Sequence, residues 1–185
     1  VLKNCRIVNV FTEEILSGDI AIDCGWIVGV GQYQGIQEID LKNAYVAPGL
    51  IDAHVHLESS MVTPGQFAKA VLPHGTTTVI ADPHEIANVC GLNGVRYMLE
   101  QSSEIPLDVF VMMPSCVPAT PFENSGAVIR AEGMGEMLGH PRVLGLGEMM
   151  DYPGVVGARQ DVLDKLVVGG AGRMIDGHGP VLTGK

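Results

Sequence analysis

The chain has 185 residues, with 11 basic against 21 acidic side chains and a formal net charge of −10 at pH 7. That balance, with no local cluster of Lys or Arg, argues against a nucleic-acid polymer or an anionic membrane as partner, since their phosphates would repel it. An uncharged single base is not excluded. Hydrophobic residues make up 46% and aromatic residues only 5%, with 24 glycines, a mix that suits tightly turning α/β units around one packed core.

Four cysteines, Cys5, Cys24, Cys90 and Cys116, are scattered without a CxxC pair, as expected of idle or buried thiols in a reducing cytoplasm. No apolar run approaches the roughly 18 residues that span a bilayer, and no charged start leads into an apolar signal core. A soluble, cytoplasmic protein is expected.

From Val1 to about Tyr45 the chain reads as short strands, Leu2–Val10, Asp19–Ile22, Trp26–Gly31 and Ile36–Leu41, parted by turn formers such as Ser17-Gly18 and Cys24-Gly25. No helical period is evident, and a small β domain is expected. The character changes at Ala47-Pro48-Gly49. Leu50–Val55 reads as a strand, Thr63–Leu72 as a helix and Thr76–Ala81 as a strand. Ile86, Val89, Leu92, Val95, Met98 and Leu99 then form an apolar stripe at helical spacing. Leu107–Met113 is an apolar strand of the doubly buried kind, Val143–Gly147 and Arg173–Asp176 are two more, and a weaker helix covers Asp161–Val168. Alternating strands and helices predict a parallel sheet with right-handed crossovers. Five such strands fit an open sheet or part of an eight-stranded barrel, and periodicity does not choose.

Three strand ends carry chemistry. In Asp52-Ala-His54-Val-His56, alternation sends both imidazoles, and Asp52, to one face, where two imidazoles can grip one divalent cation. Leu144-Gly-Leu-Gly-Glu148 ends an apolar strand in a carboxylate, with glycines that let backbone approach closely. Met174-Ile-Asp-Gly-His178 delivers a further imidazole. Each alone reads as a solvated strand end. Together they gather His, His, Glu and His at carboxyl ends of one parallel sheet, where α/β proteins assemble their sites.

A fourth string, Ala81-Asp82-Pro83-His84-Glu85, begins like HExxH, but Asn88 stands at the second His position, so a zincin is rejected. Asp82, His84 and Glu85 read either as a second shell, substrate contact or extra metal site, or as an Asp82 N-cap with Pro83 first in the helix. Gly179–Lys185 fits GxxxxGK but lacks the following Ser/Thr, and a phosphate loop is rejected. The HxE and PCxxC strings of zinc deaminases are absent from the sequence. His74 and His140 read as structural or exposed turn residues.

Ala47-Pro-Gly-Leu-Ile-Asp-Ala-His-Val-His56 resembles the opening of the barrel in the amidohydrolase superfamily. The longer strings His56–Pro64, Leu72–Val89, Pro114–Phe122 and Gly145–Glu148 resemble the bacterial adenine deaminase family within it, and the likeness runs the whole length. That resemblance implies an α/β fold, the first half of a metal-dependent-hydrolase (β/α)8 barrel preceded by part of a small β-sandwich domain. Residues 1–47 would be the N-terminal part of the β domain and residues 48–185 the first five β/α units.

It also implies hydrolytic deamination of adenine to hypoxanthine and ammonia by a metal-activated hydroxide. The implied cofactor is a divalent metal pair, manganese or iron, with zinc compatible with the same ligands. His54 and His56 would bind one metal, Glu148 would bridge the two and His178 would bind the second. The chain has Gly179 where the family usually has Ala, a small-for-small change. The family's His after the sixth strand and Asp after the eighth are not in these 185 residues. That Asp is the implied proton carrier, and within this chain Glu148, Glu85 and His84 are the candidates. The chain alone is therefore expected to be inactive and marginally stable. Partners would be adenine and water, with no nucleic acid and no membrane, and a homo-oligomer is left open. Two competing readings are another amidohydrolase acting on a cyclic amide and a non-catalytic truncated product.

Overall fold

A computed structural model describes residues 1–184, which fall into two compact units, Val1–Gly49 and the chain from Leu50 onward. The first unit is a mixed sheet of β1 (Leu2–Asn9), β2 (Glu14–Asp23), β3 (Trp26–Gly31), β4 (Ile39–Asp40) and β5 (Tyr45–Val46). β1 pairs antiparallel with β2, β2 antiparallel with β3, and β4 and β5 run parallel to β1, an arrangement that fits part of a β-sandwich. Cys24 and Gly25, at φ 49° and 82°, make the two-residue turn between β2 and β3, as the right-handed strand twist favours. Cys5, Ile7 and Ile20 are its buried core. The Asp19 carboxylate takes hydrogen bonds from the Lys3 Nζ and from the Asn4 and Tyr33 N–H groups, which hold it down at about 2.

Two expectations for this unit need correcting. Ser17-Gly18 is not a turn but lies inside β2, paired with Arg6 and Cys5. The glycine eases a close approach, since a Cβ there would stand 3.1 Å from the Gly31 carbonyl oxygen of β3. Conversely, the strand expected over Ile36–Leu41 shrinks to two residues. Side chains take the backbone on either side: Glu38 accepts from the Gly35 N–H and Asp40 from the Lys42 N–H, and Lys42 and Asn43 turn to positive φ.

The second unit has five parallel strands, β6 (Leu50–Val55), β7 (Thr76–Ala81), β8 (Asp108–Met113), β9 (Val143–Met149) and β10 (Met174–Gly177), in the order β10-β9-β8-β7-β6. Between them lie α1 (Pro64–Val71), α2 (His84–Cys90), α3 (Leu92–Gln101), α4 (Ala131–Leu138), α5 (Tyr152–Val156) and α6 (Gln160–Gly170). Every strand neighbours the next in sequence. A doubly wound sheet would reverse its order at a switch point, so this is the wall of a (β/α)8 barrel, its first five units. Val79, Val109, Val111, Met113 and Leu146 from the strands bury against Ala68, Val95, Met98, Met134 and Val162 from the helices, each large side chain stabilising by about 1.5–3 kcal/mol.

The apolar stripe Ile86–Leu99 does not form one helix. Gly91, at φ 62° and ψ −145°, breaks it into α2 and α3. Val89 is left 68% exposed, while Val95, Met98 and Leu99 are buried. α4 carries Ala131, Met134, Met137 and Leu138 inward at helical spacing, and Gly133 and Gly135 on its other face mask that pattern. α5 is capped by Asp151, whose side chain accepts from the Gly154 N–H. Among the described residues no helix is long and apolar enough to cross a membrane. All four cysteines are unpaired thiols, Cys5 and Cys116 buried, Cys24 and Cys90 exposed.

Candidate metal centre

The chemistry gathers where β6, β7, β9 and β10 end. His54 lies within β6 and His56 follows its last residue, so alternation brings the rings together, with centroids 4.9 Å apart and the two Nε2 atoms at 3.3 Å. The outward nitrogens are engaged elsewhere. His56 Nδ1 lies 2.8 Å from the Asp82 carbonyl oxygen and His54 Nδ1 lies 3.1 Å from Asp176 Oδ2. A carbonyl only accepts, so Nδ1 of His56 carries a proton and its Nε2 is the atom that faces the cluster.

Glu148, next to last in β9 and only 8% exposed, receives these rings. Its Oε1 is 3.2 Å from His54 Nε2 and 2.9 Å from His178 Nε2. Its Oε2 is 3.8 Å from His56 Nε2 and 3.9 Å from His84 Nε2. His178 is set just past β10 by its N–H, which donates to the Met149 carbonyl at 3.2 Å. Donor atoms of His54, His56 and Glu148 all lie within 4.8 Å of one another. Two imidazole nitrogens 3.3 Å apart need a shared proton or a metal cation between them. Imidazole nitrogen plus carboxylate oxygen is a donor set that divalent manganese, iron and zinc all accept, so these residues fit a metal.

Of the two readings of Asp82, the helix cap is the one that fails. Asp82 does not cap α2: the residue before the helix is Pro83, no side chain caps from that position, and Pro83 is not the first helical residue. Glu58 does the work from 27 residues away, its Oε1 accepting from the Glu85 N–H at 3.1 Å and from the Ile86 N–H at 3.2 Å. Asp82 instead turns inward, 2% exposed, and accepts the Glu148 N–H on Oδ2 at 2.6 Å. Its Oδ1 has no partner among the described residues. Burial raises its carboxyl to about 6, against the Glu148 N–H, which lowers it. A Cβ at Gly147 would collide with this carboxylate, and one at Gly145 with the Met174 carbonyl, so both glycines serve close approach.

His84 opens α2 and stacks edge-on against His56 with centroids 4.5 Å apart. Its pKa is lowered, first by burial and then by the neighbouring His56. For His56, burial pulls down but is outweighed by the hydrogen bond to the Asp82 carbonyl and by the charges of Asp82, Glu148 and Glu85, so the net shift is upward.

Glu85 is not drawn into the cluster. It is exposed, and its Oε2 accepts from the Ser59 hydroxyl at 2.6 Å. Asp52 also stays out, because its carboxylate accepts the His54 N–H of its own strand. His74 closes a short 3-10 turn before Gly75, and exposed His140 accepts the Arg142 N–H in the turn before β9. Of the rejected phosphate-loop pattern, Lys185 lies outside the described residues.

Sequence reasoning missed Ser115, 1% exposed, whose hydroxyl donates to the Glu148 carbonyl at 2.5 Å, and the role of Asp176 behind His54. No local signal marks Ser115. Asp176 was readable as a residue two before His178 on the same strand end.

A relative from Clostridium acetobutylicum named adenine deaminase is 60% identical over 185 residues, which are all of this chain and 32% of that protein. One from Carboxydothermus hydrogenoformans, named adenine deaminase 2, is 55% identical over 185 residues, again all of this chain and 32% of the relative. An adenine deaminase from Geobacillus kaustophilus is 55% identical over 179 residues, 96% of this chain and 31% of its own length. The chain thus spans about a third of the length of these relatives.

A solved β-aspartyl dipeptidase from Fervidobacterium islandicum superposes with a TM-score of 0.51 at 16% identity, over 96% of this chain and 50% of that one. At that identity the likeness speaks for the fold, a metal-dependent-hydrolase barrel with a β unit before it. The family described as the amidohydrolase family matches residues 45–175, most of both the barrel strands and the donor cluster. With that match over well more than half its length, the chain belongs to the amidohydrolase family.

Proposed function

We propose that the protein carrying this chain deaminates adenine hydrolytically, giving hypoxanthine and ammonia, on a pair of divalent metals of which manganese or iron are the favoured occupants. The observation that carries a hydrolytic metal centre is the convergence of His54 and His56 from the end of β6 and His178 from the end of β10 on the Glu148 carboxylate of β9. The substrate follows from the relatives' names at 55–60% identity along this chain. In this reading His54 and His56 would hold one metal, His178 the other, and Glu148, which faces all three rings, would be a ligand shared between them. When bound, such metals acidify water toward neutral pH and so supply the nucleophile for C6 of the purine.

The chain's own residues keep that centre polar, charged and ordered. Glu148 offsets the metal charge. His84 Nε2, 3.9 Å from Glu148 Oε2, stands where it can take a proton and return it to the departing amine. Glu148 is the alternative carrier where one of its oxygens is free of metal. Glu85, tied to Ser59, reaches the site only if that bond opens, which makes it the weaker of the three candidates. The net charge of −10 supports a small neutral substrate over a polyanion. Domain limits at residues 47 and 48 are part of the same proposal.

The test is ammonia release by the protein at the length of its relatives, loaded with manganese or iron. Adenine should be turned over, cytosine not at all and adenosine only poorly. Comparable rates on adenine and adenosine would sink the assignment.

A further inference from the structure

Glu148 sits beyond the last rung that ties β9 to β8, the Met113–Leu146 pair. Its carboxylate nevertheless has to meet histidines arriving from β6, α2 and β10. Its aim depends on how its own peptide groups are held, and two buried side chains hold them. Asp82 Oδ2 accepts the Glu148 N–H at 2.6 Å, and the Ser115 hydroxyl donates to the Glu148 carbonyl at 2.5 Å. Both are all but fully buried, at 2% and 1% exposure.

Asp82 follows β7, which is not a neighbour of β9 in the sheet because β8 lies between. Its carboxylate therefore reaches past β8 to β9, and Gly147 leaves the gap it needs. Ser115 follows β8 and is itself anchored, its carbonyl accepting from Lys165 Nζ of α6 at 2.9 Å. The same Asp82 residue presents its carbonyl oxygen to His56 Nδ1, so one residue sets both a histidine and the carboxylate it faces.

We propose that Asp82 and Ser115 are positioning residues that fix the Glu148 carboxylate on the meeting point of the histidines by gripping its N–H and its carbonyl, so that divalent-metal affinity depends on both. This rests on the reading of Glu148 as a metal ligand. Partners that orient ligands in this way typically change metal affinity by about 10–100-fold when removed.

The test is manganese binding by titration calorimetry, with the spectrum of bound manganese recorded by electron paramagnetic resonance, on the protein at the length of its relatives. Asp82→Ala and Ser115→Ala should each weaken manganese binding by roughly tenfold or more and broaden the spectrum. Asp82→Asn keeps an oxygen that accepts the Glu148 N–H and should recover most of the loss. The adenine KM should stay near wild type in both alanine variants while kcat falls.

Wild-type affinity in Asp82→Ala and Ser115→Ala overturns the proposal, as does an Asp82→Asn as weak as Asp82→Ala, which would make charge or direct ligation the role. If Asp82→Ala does not fold by circular dichroism, Ser115→Ala decides. Glu148→Ala separates the two layers. Its loss of manganese with both alanine variants intact refutes positioning alone, whereas its retention of wild-type affinity refutes the ligand reading and the proposal with it.

Discussion

His54 and His56 are two residues apart, and each has its Nδ1 occupied by an oxygen on the far side, from Asp176 and from the Asp82 peptide. The two Nε2 atoms are therefore held at one point with little freedom to turn away. Removing one ring leaves a bidentate grip reduced to a single imidazole and a carboxylate. His54→Ala should abolish both metal content, measured by atomic emission, and adenine turnover. His140→Ala, in an exposed turn remote from the donors, should leave both nearly intact. Equal metal content in the two variants would rule out His54 as a ligand.

The donors were readable because each ends an apolar run, so alternation and position gave their direction. For Asp82 the sequence left a helix cap and a place behind the donors equally open. Asp-Pro-His-Glu is a good local helix start, and only Glu58, folded back from a turn 27 residues earlier, takes that job and frees Asp82 to point inward. Ser115 was invisible for a related reason, since its partner is a peptide carbonyl 33 residues on.

Among the elements, the parallel strands showed themselves in sequence as apolar runs punctuated by Gly and Pro, and the helices less so. Gly91 divides what reads as one continuous stripe, and Val89 on its α2 side is left exposed. In α4 the two glycines hid a helix that burial makes plain. β9 shows how an element carries function. Gly145 pairs with Met174, and a Cβ there would run into the Met174 carbonyl. Gly145→Ala should push β10 off β9, costing about 1–3 kcal/mol as overpacking does, and should move His178, which depends on β10 for its place. A lower thermal midpoint together with weaker manganese binding is the expected pair of results. A stability loss with unchanged metal affinity would mean that His178 is placed independently of β10.

At the scale of the whole molecule, each unit presents open sheet edges among the described residues. In the barrel unit, β6 pairs only with β7 and β10 only with β9. Leu50 and Ile51 on β6 are 62% and 64% exposed, and Met174 and Ile175 on β10 are 71% and 45% exposed. In the β unit, β3 pairs only with β2 and leaves Trp26, Ile27 and Val28 exposed. Unpaired N–H and C=O rows beside exposed apolar side chains are templates for pairing with another chain. β10 has only four residues, so β6 and β3 with six residues each are the stronger templates.

The centre is also loosest on the β10 side, where the His178 side chain is 58% exposed against 10% for Glu148. A group so exposed holds a metal weakly, because solvent competes for the coordination position and no packing fixes the ring. The 185-residue chain by itself is therefore expected to associate at working concentration, to retain manganese poorly and to release no ammonia from adenine above background. Analytical ultracentrifugation and an ammonia assay on the purified chain check this together. A monodisperse monomer that turns adenine over robustly would show that β6, β3 and β10 are stable as edges and that four histidines and one carboxylate suffice for the reaction.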